Sequence, residues 1–232
     1  MRDLLSIGTS RGCEMIGTGI GLGVSGFNLS RNLFSPLSIT GLQFWVDAAD
    51  DSTLYTDSGL TTLAVADGDV VGGWKDKSGN SRNALQTDGT KKPVLKLAIQ
   101  NGRNVVRFDG VNDNMTFSNW QSNPATVFLV VRSSSDTVFL STLAGANPAY
   151  PLFFYYTNGN VYGQQGYVSG FTTANTYNQW TVTCSTTART IRRDGTAGTS
   201  AAGVVGAALY SKIGEYDDVS RYSQTGDTLE IL

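Results

Sequence analysis

The chain has 232 residues, enough for one large domain, or one domain with an appendage, given typical domains of about 100–200 residues. Seventeen Lys+Arg against nineteen Asp+Glu leave a net charge of −2, without the basic excess that marks a nucleic-acid binder. With 27 Gly, 10 Tyr, 10 Phe, 4 Trp and only 16% charged residues, the composition predicts an all-β chain with many tight turns.

Residues 1–40 read as an N-terminal anchoring arm. Ile16, Thr18, Ile20, Leu22 and Val24 alternate with Gly17, Gly19, Gly21 and Gly23, and this period of two specifies a strand with one apolar face and one bare backbone face. Each interior Gly costs about 0.5–1 kcal/mol relative to Ala, so the arm is expected to be ordered by pairing with another chain. Gly21-Leu22-Gly23-Val24-Ser25-Gly26 has the spacing of a dinucleotide-binding loop, with Asp47 downstream. Pro36 stands where the helix must run, however, and no βαβ pattern follows, so glycine periodicity accounts for the match. Met1-Arg2-Asp3, followed by only Leu4-Leu5, does not read as a secretory signal. The uncharged, glycine-diluted stretch over residues 15–30 falls short of the about 20 residues a membrane span needs. Synthesis in a host cytoplasm, with Cys13 and Cys184 reduced, is the expectation.

From residue 41 to 232 the chain reads as short strands separated by turn clusters. Leu42-Gln43-Phe44-Trp45-Val46 opens the series, and Val105-Val106-Arg107-Phe108 ends at the turn dipeptide Asp109-Gly110. Residues 126–131 are apolar on both parities, which predicts a central strand covered on both faces. Residues 137–140 follow at hairpin distance, then residues 152–156 and a Gly/Asn/Gln-rich segment over 158–170. Trp180, Val182 and Cys184 alternate with Thr181 and Thr183, placing Cys184 in the core. Residues 189–193 end at Asp194-Gly195, and residues 210–214 and 228–232 complete the set. Many short strands without sustained helical periodicity predict a β-sandwich or jelly roll.

Several phrases resemble the concanavalin A-like lectin/glucanase jelly roll in its laminin-G-like form, which is found in phage virion proteins and bacterial surface proteins. They are Gly41-Leu42-Gln43-Phe44-Trp45-Val46-Asp47-Ala48, Val71-Gly72-Gly73-Trp74-Lys75-Asp76-Lys77-Ser78-Gly79-Asn80, and residues 101–113 from Asn101-Gly102 to Asn112-Asp113. Trp180-Thr181-Val182-Thr183, Arg193-Asp194-Gly195, Ile213-Gly214-Glu215 and Gly226-Asp227-Thr228-Leu229-Glu230-Ile231 follow in order. The resemblance covers residues 41–232 and implies that Trp45 and Trp74 cover the core while residues 76–80 close a turn. It also implies a last strand that continues further than Leu232, so this strand is expected to be short or completed by a neighbour.

The absence of histidine removes Ser-His-Asp and Cys-His nucleophiles and His-ligated zinc. Glucanases of the resembled fold carry Glu-x-Asp-x-x-Glu, because retaining hydrolysis needs two carboxyls about 5–5.5 Å apart. The nearest match here, Glu215-Tyr216-Asp217-Asp218-Val219-Ser220, has Ser220 in place of the second glutamate. The chain is therefore expected not to be an enzyme, to have no catalytic, cofactor-binding or metal residues, and to tolerate Glu215→Gln. Asp109/Asp113 and Asp217/Asp218 are the pairs that calcium would use, although turn capping is the preferred reading. Tyr155, Tyr156, Tyr162, Tyr167 and Phe171, interleaved with Asn158, Asn160, Gln164 and Gln165, have the make-up of a sugar-stacking surface. Cover for the sandwich edge or a subunit contact is preferred, with a host-surface glycan as the alternative. The resulting expectation is a phage virion structural protein, either a capsid decoration (cement) protein or a fibre/tail-associated one. Its arm would bind other capsid or tail proteins, and it would be a homo-oligomer, most plausibly a trimer, with no nucleic acid. A bacterial carbohydrate-binding module or surface adhesin is the alternative.

Overall fold

Strands with one apolar parity need a second apolar surface to lie against, and this chain supplies one by stacking two antiparallel sheets. A computed structural model describes residues 34–122, 124–133, 137–141, 153–155, 161–162, 167–168, 171, 175–184, 189–198, 208–216 and 222–232. The expected arm strand over residues 16–24, Cys13, and the Asp217/Asp218 pair lie outside the described residues. Among the described residues the strands run β1 (Val46–Asp47), β2 (Leu54–Tyr55), β3 (Gly73–Trp74), β4 (Ala84–Leu85), β5 (Val94–Gln100), β6 (Arg103–Asp109), β7 (Met115–Ser122), β8 (Ala125–Ser133), β9 (Thr137–Ser141) and β10 (Phe153–Tyr155). They continue as β11 (Val161–Tyr162), β12 (Tyr167–Val168), β13 (Asn178–Cys184), β14 (Arg189–Arg193), β15 (Thr196–Ala197), β16 (Ala208–Ile213), β17 (Glu215–Tyr216), β18 (Tyr222–Ser223) and β19 (Thr225–Ile231). One sheet has the order β15-β14-β13-β8-β19-β6-β5, with β1 also against β19; the other has the order β12-β11-β10-β9-β16-β7-β4-β3-β2. The fold is an all-β jelly-roll β-sandwich.

The core follows strand parity. Val127, Leu129 and Val131 of β8 are buried and face inward with Trp180 and Val182 of β13, which lie opposite Leu129 and Val127 in the register. Val106 and Phe108 of β6 and Ile231 of β19 extend this layer. The second sheet contributes Trp74, Met115, Phe117, Leu140, Val161 and Ile213, and Phe44 stacks on Phe117 with ring centroids 4.5 Å apart. Each such side chain contributes about 1.5–3 kcal/mol when fully buried. As the sequence predicts, Asp194 and Gly195 both have positive φ (49° and 81°), the backbone of a type I′ turn joining β14 to β15.

Three expectations need correction. The opening strand shrinks to Val46–Asp47, because the Trp45 N–H is donated to the Asp76 carboxylate (3.0 Å) instead of to a strand ladder. β8 and β9 follow closely in sequence but belong to different sheets, so the chain crosses the sandwich there instead of forming a hairpin. On β8 the outer-face Phe128 and Val130 are half-buried, so that strand is covered fully on one side only. The Gly/Asn/Gln-rich segment, by contrast, contributes an antiparallel pair, β11 with β12.

The last strand departs furthest from expectation. β19 is seven residues long and hydrogen-bonded to both β6 and β8, so it offers no free edge for a neighbouring subunit. Its register depends on Gly226, where φ is +139° and an added Cβ would land on the Arg132 carbonyl oxygen of β8. Gly226→Ala is therefore expected to destabilise the domain by at least about 2 kcal/mol, read as a lowered urea midpoint with an unchanged slope.

Candidate functional site

β19 places one carboxylate between two arginines. Asp227 lies directly opposite Arg107 of β6 and Arg132 of β8, on the face of the sheet turned away from the core. Its side chain is fully buried. It accepts from Arg107 Nε and Nη2 (2.6 and 3.0 Å), from Arg132 Nη2 and Nε (2.8 and 3.1 Å), and from the Tyr177 hydroxyl (2.5 Å). Burial pushes the Asp227 carboxyl up, but the hydrogen bonds from Arg107 and Tyr177 and the two guanidinium charges outweigh it, and the pKa lies below its ordinary value. Burial and the same carboxylate push the Tyr177 hydroxyl up, which keeps it a donor.

The two guanidiniums carry more charge than Asp227 cancels, and both reach solvent, with 34% and 28% of their side chains exposed. They line a cleft of about 580 Å³ together with Asp109, Asp113, Asn175 and Thr225. Lys92 also lines it, but its ammonium is held by the Thr56 carbonyl (3.0 Å). The cleft thus offers planar cationic donors, an amide, a hydroxyl and carboxylate acceptors, a set that suits a hydroxyl-rich ligand.

Asp109 and Asp113 come together in a turn that they cap, as the sequence reading prefers. Asp109 Oδ1 accepts from the N–H groups of Val111, Asn112 and Asp113, and Asp113 Oδ2 accepts from the Asp109 N–H (2.9 Å). Burial pushes Asp113 up to about 7, against the pull of the Asp109 N–H and helped by the Asp109 charge. Among the described residues no group of three potential metal ligands forms.

Residues 76–80 close a turn as expected. Asp76 accepts from the N–H groups of Trp45, Ser78 and Arg82, and Gly79 has φ +90°. Lys77 sits 4.2 Å above the Trp45 ring and bridges Asp47 and Asp50 at 3.1 and 2.8 Å. Glu215 is not the freely replaceable residue that the sequence suggests. It is buried, paired with Lys212 at 2.9 Å and hydrogen-bonded by Asn114 at 2.9 Å, so Glu215→Gln removes a buried charge partner. In the tyrosine-rich segment, Phe154 lies opposite Tyr162 and Tyr162 opposite Tyr167. Phe171 is buried against Trp180, with ring centroids 5.0 Å apart, and belongs to the core. Tyr156, Asn158, Asn160, Gln164 and Gln165 lie outside the described residues. Sequence reasoning missed Arg107, Arg132, Tyr177 and Asp227 as a group. Their common row appears only once β19 is threaded between β6 and β8.

No known protein family and no curated protein matches the chain. Among solved structures it resembles Trypanosoma rangeli sialidase. The complex with 2,3-difluorosialic acid, a covalent intermediate, aligns with TM-score 0.55 and 10% identity over 84% of this chain and 30% of the sialidase. The complex with sialic acid aligns with TM-score 0.51 and 12% identity over 84% and 31%. Domain 4 of AbnA, a GH43 extracellular arabinanase from Geobacillus stearothermophilus in complex with arabinotriose, aligns with TM-score 0.49 and 14% identity over 68% and 84%. The chain spans less than a third of the sialidases, and the likeness is one of fold. The sialidase matches overturn the expectation of a protein outside the enzymes. The fold is shared with glycosidase chains, and a composition without histidine does not separate this chain from them.

The Asp113 shift sets a pH dependence. Its folded value, about 7, stands above the ordinary 3.8, so the folded state binds the proton more tightly. The stability this contributes is complete below the unfolded value and is lost as pH rises through about 7. Asp227 acts in the opposite direction, keeping its contribution until pH falls through its lowered value. Asp113→Asn keeps an acceptor for the Asp109 N–H. It is expected to raise stability at pH 8 by on the order of 1–3 kcal/mol and to change it little at pH 4, as measured by denaturant titration at both pH values.

Proposed function

We propose that this chain is a glycan-recognising module with a concanavalin A-like sandwich, carried on a phage virion. The observation that carries the glycan reading is the cleft on the outer face of the β19 sheet. There two half-exposed guanidiniums are fixed by a buried carboxylate and stand beside Asn175, Thr225 and Asp109. Donors held rigidly in advance lose little entropy on binding, which suits a sugar whose hydroxyls are otherwise well solvated. The distant likeness in fold to chains of carbohydrate-active enzymes supports the same reading. The sequence of β10 to β12, with Phe154, Tyr162 and Tyr167 in cross-strand register, supplies residue types that stack on sugar rings.

Screening the purified chain on a glycan array and titrating the strongest ligand tests this. Arg132→Ala or Asn175→Ala should weaken binding about tenfold, the cost of one hydrogen bond to a charged or well-placed group, with the fold retained by circular dichroism. Binding that is absent at millimolar glycan, or indifferent to both substitutions, overturns the reading.

The virion setting rests on the alternation of apolar residues and glycine in the sequence of residues 16–24, a pattern that another capsid or tail protein would complete, with a homo-oligomer, a trimer, as the displayed form. Removing residues 1–40 is expected to leave a folded sandwich that no longer copurifies with particles at stoichiometric copy number. Unchanged incorporation would count against the arm.

A further inference from the structure

On the outer face of the other sheet lies a second polar cluster, and it is closed to solvent. Register places Lys212 of β16 opposite Thr116 and Ile213 opposite Met115 on β7. Asn114, the residue before β7, is therefore a diagonal neighbour of Lys212 on the same face. Lys212 Nζ and Asn114 Nδ2 each donate to one atom, Glu215 Oε2, at 2.9 Å. Gln86 Nε2 donates to Asn114 Oδ1 at 2.9 Å. The Ser141 hydroxyl fixes the Glu215 carbonyl at 2.5 Å. Exposure is 8% for Gln86, 4% for Asn114, 5% for Lys212 and 2% for Glu215.

A buried lysine–glutamate pair returns little net stability, because desolvation offsets the Coulomb gain. The cluster holds more than an ion pair. It contains an amine nucleophile, a carboxylate in contact with that amine, a carboxamide in contact with the same carboxylate oxygen, and a donor on the carboxamide oxygen. These are the parts of an acyl transfer. We propose that Lys212 and Asn114 form an intramolecular isopeptide bond, with Glu215 as the proton carrier and Gln86 as the donor that stabilises the developing oxyanion.

The step balances within the chain. Lys212 Nζ passes a proton to Glu215 Oε2, and the neutral amine attacks Asn114 Cγ. Negative charge gathers on Asn114 Oδ1, where Gln86 Nε2 meets it. The C–N bond to Nδ2 then breaks, with Glu215 returning its proton to the leaving nitrogen. The proton lost by the new secondary amide leaves with the ammonia. One ammonium plus one carboxamide become one amide plus one ammonium ion, with no oxidant or cofactor. Burial removes competing water, and the fixed geometry replaces a bimolecular encounter.

Mass spectrometry of the denatured full chain tests the proposal. The wild-type chain is expected to be lighter than its sequence by one ammonia, with one branched proteolytic peptide joining the segments that contain Asn114 and Lys212. Lys212→Arg keeps the charge facing Glu215 but cannot make the bond, and Asn114→Ala removes the acceptor. Both should show the full sequence mass and no branched peptide. A folded wild-type chain at full mass overturns the proposal, whatever the variants do. So does ammonia loss that maps to Asn101-Gly102 or Asn158-Gly159, where a succinimide loses the same mass.

Discussion

The sandwich depends on β19 lying between β6 and β8, and on one buried carboxylate that fits only there. Asp227 faces an arginine on each neighbouring strand. A slip of one residue in either pairing would turn it into the core and leave both guanidiniums without a counter-charge. Stranding that buried carboxylate with neither arginine costs about 3–5 kcal/mol, a large share of the stability of a domain this size, whereas loss of one arginine leaves the other facing it. Apolar burial draws the two sheets together, but apolar contacts tolerate small offsets. The charged row and the close approach at Gly226 do not.

Parity made much of the fold legible in the sequence. Val106, Phe108, Trp180, Val182 and Ile231 sit inward as alternation requires, and Asp194-Gly195 turns as its backbone preference dictates. What parity does not encode is the partner of each strand. Residues 126–131 and 137–140 look like two arms of a hairpin, and the same local pattern serves equally well for a crossing between sheets. The expectation about the final strand failed for a related reason. Its length can be read locally, but its place in the middle of a sheet is fixed by strands about one hundred residues away.

The same limit hid both polar sites. Arg107, Arg132 and Asp227 look like ordinary outward-facing charges in their own strands, and Lys212 and Asn114 like ordinary polar residues at strand ends. Only antiparallel register gathers them into groups that share one atom. The acidic pair that was visible, Asp109 with Asp113, is close in sequence and so folds on itself, each carboxylate taken by backbone N–H groups of its own turn. Short spacing marks local closure more readily than it marks a site.

β1 pairs with β19, with Val46 opposite Ile231, and the Trp45 indole N–H reaches the Glu230 carboxylate at 2.9 Å. The two ends of the sandwich are thus hydrogen-bonded neighbours. A domain with adjoining ends can be spliced into a surface loop of another protein without prying that loop apart, or hung from a single tether. Either way the cleft would be carried as a unit, its geometry independent of what lies on the far side of the junction.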